Sequence, residues 1–313
     1  MKPAWSVILF TVLAGYGQGL AVALSFGVMS GAVDPNGFGF PAALACSIAL
    51  MLAGLASSFL HLGHPMRAWR AAAMWRTSWL SREVIVMPAF IGWLVLWWLA
   101  VNVAPPHDVL ARSVLPAGAV VLAAVLWLCT GMIYACIRFI REWSHPLTLW
   151  YYLLTGLGSG LALAASIGAA GGERGLLLFA SRFAWAAMLA SAAIRFAMLA
   201  RNGAVRMPST LQSATGIRAA RLTQMSMGMS AGSFNTREFS HGRTPVTIVR
   251  VTLAAVGAGF ALPLALASLA ALQPSPWLWL LVLVSQAPGL IADRWLYFAQ
   301  ARHPQSLYYQ RVA

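Results

Sequence analysis

Eight runs of about 20 or more mostly apolar residues follow one another along this chain, and they leave it few folds to choose from. A helix of that length crosses a hydrocarbon core of about 30 Å. Inside lipid every backbone N–H and C=O needs a partner, so only helices and closed barrels span it. None of the runs shows the period-two alternation of a barrel strand. The chain is only 9% charged, against roughly 25% in soluble domains. The expected fold is therefore all-α: a polytopic integral membrane protein with eight transmembrane helices, arranged as two four-helix bundles split around residues 134–146. The spans fall at about 5–31, 41–63, 83–104, 111–135, 147–170, 176–200, 245–272 and 276–299. One membrane domain thus occupies 1–313, with its longest polar stretch a loop over 201–244. Met1-Lys2 ahead of the first run resembles a signal peptide, but the run is too long and lacks a clear cleavage site, so it reads as a retained span.

The net charge of +14 does not point to nucleic acid, because the charges sit between the apolar runs. Of 21 Lys and Arg, 18 lie on the side of the N-terminus, the even-numbered loops and the C-terminus. That bias places both termini in the cytoplasm, as expected for a protein of a bacterial inner membrane. Tryptophans such as Trp93, Trp143, Trp150 and Trp277 gather near span ends, as interfacial anchors do. The bilayer is the first partner, and no nucleic acid is expected.

Some chemistry is poorly represented. Cys46, Cys129 and Cys136 show no metal-type spacing and read as small core residues, so the chain holds no iron–sulfur cluster through its own cysteines. The six histidines lie at or beyond span ends, where they cannot face each other as axial ligands, so no haem is expected. The span centres carry almost no ionisable groups, which argues against an ion path and a transporter. Arg182 and Arg195 lie within several residues of span ends and are expected to snorkel. Gln18 is the clearest buried polar residue, suited to an interhelical hydrogen bond or a ligand contact.

What remains is the hairpin from His61 to Glu83, HLGHPMRAWRAAAMWRTSWLSRE. His61 is expected about a turn inside the end of the second span. Glu83 is expected in the first turn of the third, with Ser81 as its N-cap. Consecutive antiparallel helices are neighbours, so the two can face each other at similar depth. A quinone needs a proton-exchanging group near its carbonyl oxygens, an apolar slot for its tail and proton access from water. Histidine titrates near neutrality, and a carboxylate can orient it or relay protons. The plainer alternatives are an interfacial hydrogen bond for His61 and a helix-dipole contact for Glu83. Arg67, Arg70 and Arg76 read as topogenic charge or as contacts to an acidic partner. The 201–244 loop reads either as a flexible basic segment over anionic lipid or as a docking segment, with Met225, Met227, Met229, Phe234 and Arg237 as its contacts.

At these residues a resemblance appears. FLHLGHPMRAW followed by WRTSWLSREV resembles the membrane anchors of the dimethyl sulfoxide reductase family (DmsC-type, related to NrfD-type anchors). GMIYACIRFIREWSHPLTLWYYLLTGLGSGLAL and GMSAGSFNTREFSHG resemble more closely the anchors of cytoplasmic, quinone-linked sulfite dehydrogenases (SoeC-type). The resemblance implies a three-subunit oxidoreductase. A molybdopterin catalytic subunit does the substrate chemistry, and a ferredoxin-like subunit with four iron–sulfur clusters carries electrons. The anchor exchanges them with ubiquinone or menaquinone, normally without haem. The family's quinone-site histidine falls on His61 and its glutamate on Glu83, 22 positions apart. His64 departs from the pattern, so either histidine is a candidate contact. Gln18, Trp79 and Arg82 are further pocket candidates. The alternatives are the same anchor oxidising menaquinol for a reductase, or a structural anchor without a quinone site.

Overall fold

The computed structural model describes residues 1–60, 62–103, 105, 108–206, 209–223, 225, 239, 241–273 and 275–308. All regular structure among them is helical. Eight helices are long and apolar enough to cross a membrane: α1 (Trp5–Met29), α2 (Phe40–Phe59), α3 (Trp79–Val103), α4 (Leu110–Ala135), α5 (Leu147–Gly171), α6 (Arg174–Ala204), α7 (Pro245–Leu272) and α8 (Pro276–Ala299).

Local signals set their ends. Prolines stand in the first turns of α2, α7 and α8, where a missing N–H costs nothing. Thr244 caps α7 by accepting the Thr247 N–H at 3.3 Å. Gly172 closes α5 at φ +70°, a left-handed value that favours glycine. α4 and α7 each contain a π-helical turn, Leu110–Val114 and Gly257–Ala261, just before an internal proline.

The boundaries around the hairpin differ from the sequence reading. α2 stops at Phe59, and His61, expected about a turn inside the second span, lies outside the described residues. α3 begins at Trp79, four residues early, because Ser78 rather than Ser81 accepts the capping bond, from the Ser81 N–H at 3.3 Å. Glu83 therefore falls in the second turn. Between α2 and α3 lies a 3₁₀ helix, Pro65–Met74, with no buried residue; Ala68, Ala71 and Ala72 are half-buried and the rest exposed.

α1, α2, α3 and α4 contact in a ring, as do α5, α6, α7 and α8. The rings meet where α1 packs on α5, α8 and α6, and α4 on α5. One buried apolar cluster runs from Val12 to Leu290 through both, so the two groups of four share a continuous core. Glycines allow the closest approach. Side chains at Gly19 or Gly160 would overlap the facing backbone of α5 or α1, the small-residue contact that lets helices pack within lipid.

Candidate functional site at the arginine-rich end

The N-terminus, the even-numbered connections and the C-terminus mark one end of the molecule, which carries most of the arginines. About one to two turns inside it, α1, α3, α4, α5, α6 and α8 bring together a buried polar layer. Glu83 projects from α3 with 5% of its surface exposed. The Thr130 hydroxyl of α4 donates a hydrogen bond to its Oε1. Thr130 also lines a cavity of about 10 Å³ with Thr11, Gln18, Trp127, Tyr152 and Arg294. That is room for about one water or one oxygen atom of a ligand. Trp127 Nε1 and Arg294 Nη1 are buried polar atoms without a hydrogen-bond partner among the described residues. Such groups are costly unless something supplies hydrogen bonds. The layer thus places hydrogen-bonding groups around a small space, with the Glu83 carboxyl next to it through Thr130.

Beside it, Asp293 of α8 accepts from the Tyr151 hydroxyl at 2.6 Å and from Arg195 Nε of α6. The next residue, Arg294, lays its guanidinium 4.0 Å from the Tyr152 ring centre and 4.4 Å from that of Tyr151. Two arginines and one acid are buried here, and aromatic faces rather than a second carboxylate hold the extra charge. This corrects the reading of Arg195 as snorkelling. α6 continues to Ala204, which puts Arg195 nine residues inside its end, and its side chain is 2% exposed. Sequence reasoning missed Trp127, Thr130, Tyr151, Tyr152, Asp293 and Arg294. The visible signal was the Asp293-Arg294 pair inside an otherwise apolar run.

The other candidates separate. Gln18 is buried, donates to the Ala123 carbonyl at 3.4 Å and lines the cavity. It and Glu83, through Thr130, are therefore brought together. Trp79 and Arg82 form a clamp near the surface. The guanidinium lies 4.1 Å from the Trp79 ring centre and donates to the carbonyls of Trp75 and Arg76, both at 2.9 Å. Neither lines the cavity. His64 stands exposed at the start of the 3₁₀ helix. Arg67, Arg70 and Arg76 are exposed along that connection, Arg70 and Arg76 against Trp69 and Trp75. Met225 is exposed, whereas Met227, Met229, Phe234 and Arg237 lie outside the described residues. Cys136 is exposed rather than a core residue.

Three histidines at this end share one device. His145, His241 and His303 each use Nδ1 to accept the backbone N–H two residues on, at 3.2, 3.0 and 3.2 Å. Burial lowers the pKa of all three below the usual histidine value. A nearby positive charge adds to this, Arg201 in the case of His145. The geometry requires the neutral ring.

The chain is 40% identical, over an alignment of 327 positions covering the whole of both chains, to a sulfite dehydrogenase subunit of Allochromatium vinosum. It is 27% identical over 163 positions, 52% of this chain and 57% of the other, to anaerobic dimethyl sulfoxide reductase chain YnfH of Escherichia coli. The model of the DMSO reductase anchor subunit (DmsC) family matches residues 1–196. With its eight membrane-length helices and these two likenesses, the chain belongs to the DMSO reductase anchor subunit (DmsC) family of membrane anchors.

Proposed function

We propose that this protein is the quinone-reactive anchor of a sulfite dehydrogenase-like complex, passing electrons from sulfite oxidation to ubiquinone or menaquinone. The observation that carries the reading is Glu83. It is a buried carboxyl group near the arginine-rich end, bonded to Thr130 beside a cavity bordered by polar atoms without hydrogen-bond partners among the described residues. Reduction of a quinone takes up two electrons and two protons. His61 or His64 hydrogen-bonds a carbonyl oxygen and protonates it, Glu83 relays the proton for the other oxygen, and both protons are replaced from water at the arginine-rich end. The arginine-rich end faces the cytoplasm across a bacterial inner membrane. There a ferredoxin-like iron–sulfur subunit with four clusters and a molybdopterin catalytic subunit dock, through the 3₁₀ connection and the 201–244 loop. The full-length likeness to a sulfite dehydrogenase subunit favours this direction over menaquinol oxidation for a reductase, where the likeness covers about half the chain.

The test is sulfite-dependent reduction of a quinone analogue by membranes carrying the complex, with a soluble dye as an upstream acceptor. Glu83→Gln is expected to lower quinone reduction at least tenfold and leave dye reduction unchanged. Equal quinone reduction in the variant and the wild type removes Glu83 from the site.

A further inference from the structure

Apart from the buried layer, the arginine-rich end carries a second feature. Arg138 and Arg141 on the α4–α5 connection and Arg201 and Arg206 at the end of α6 converge on an open groove of about 620 Å³, with Ser144 in its wall. No acidic side chain among the described residues lines it. The nearest acid in sequence, Glu142, is buried and bonded at 2.6 Å to Arg302, whose Nη2 donates to the Val205 carbonyl at 2.6 Å. Arg302 thus pins the two walls together from behind. Arg201 crosses between them, donating to the Arg141 carbonyl at 3.0 Å. Four like charges are therefore gathered around one opening, an arrangement that repels itself unless an anion fills it.

The groove's position identifies the anion. α6 has 31 residues, about 46 Å at 1.5 Å per residue, so its last turns stand at the level of lipid head groups. The outward face of α6 is lined by Ala193, Phe196, Ala197 and Ala200 and continues into Ala204, which borders the groove. An acyl chain on that shallow face would bring its head group to the arginines. A basic pocket at helix ends that opens onto a lipid-facing face fits a phosphodiester. We infer that this groove is a binding site for an anionic phospholipid, held by its phosphodiester on Arg138, Arg141, Arg201 and Arg206. The inference does not rest on the quinone reading.

The experiment is native mass spectrometry of the full-length protein, purified with its partner subunits, titrated with phosphatidylglycerol or phosphatidylcholine. Phosphatidylglycerol is expected to bind at least tenfold more tightly. The R138Q/R141Q/R206Q variant should lose that preference, whereas the matching triple lysine variant should keep most of it. Thermal unfolding checks that each variant is folded. Should the triple variant not fold, R138Q and R206Q singly, both at exposed positions, are each expected to weaken phosphatidylglycerol severalfold. Equal binding of the two lipids, or a preference unchanged in the arginine variants, overturns the proposal. Displacement of the lipid by millimolar inorganic phosphate makes this a free-anion site and also overturns it. So does release of a partner subunit by the triple variant with lipid binding intact, which assigns the groove to an acidic protein surface.

Discussion

Asp293 neutralises Arg195 and orients Tyr151 at once, and the ion pair joins residues 98 positions apart in the chain. Breaking a buried ion pair leaves one charge uncompensated, at a cost of about 3–5 kcal/mol. Asp293→Asn is therefore expected to lower the unfolding temperature of the solubilised protein sharply. Pairing Asp293→Leu with Arg195→Met should recover much of that loss, because well-packed apolar side chains can replace such a pair. A double variant no better than the single one would show that the two residues do not act as a pair. The histidine caps give a pH dependence of definite sign. Their pKa values are lower folded than unfolded, so between the two values the unfolded chain binds more protons and stability rises with pH. Their contribution is complete above the ordinary histidine value of 6.5 and is lost as pH falls through the lowered ones. His145→Asn, whose side-chain oxygen accepts the same N–H without titrating, is expected to flatten part of the slope in a melting series from pH 7 to 5. These residues show where sequence reading stops. The Asp293-Arg294 pair is visible inside the eighth apolar run, but only the packing of α8 on α5 and the bond to Arg195 of α6 show that it turns inward. Gln18 is legible because a lone polar residue in an apolar run has few other roles, and Glu83 because it is an acid standing where an apolar run begins.

At the scale of elements, length and hydropathy alone locate all eight helices, and most ends lie within a few residues of their expected places. The misplaced ends have a local cause. Ser78 and Ser81 are both competent caps, and Trp79-Leu80 between them joins the helix because apolar residues at the surface of a bilayer cost little. The contact of α1 with α5 rests on Gly19, Gly156 and Gly160, which pattern reading cannot single out among 27 glycines. Gly160→Leu is expected to force the helices apart at a cost of about 1–3 kcal/mol, typical of overpacking. Gly203→Leu, where no neighbour lies within 4 Å of an added Cβ, should cost much less. Comparable losses in the two variants would place the effect in glycine's backbone rather than in this interface.

For the whole molecule, the arginine bias makes a prediction about sides. Cys136 is exposed at the arginine-rich end, while Cys129 is buried. A membrane-impermeant maleimide should label the protein in inverted vesicles and not in right-side-out ones, and Cys136→Ser should abolish the labelling. Labelling from the outer face would reverse the orientation. The 201–244 loop is the least legible part, since it has no apolar period to read and much of it lies outside the described residues. The pairing of α6 with α8 also has a consequence for biogenesis. α8 is the least hydrophobic of the eight spans, and its acid finds a counter-charge on a helix made much earlier. A segment of that kind is expected to enter lipid poorly on its own. Its stable insertion is expected to wait for α6, which makes the bond of Asp293 to Arg195 a checkpoint on the order of assembly.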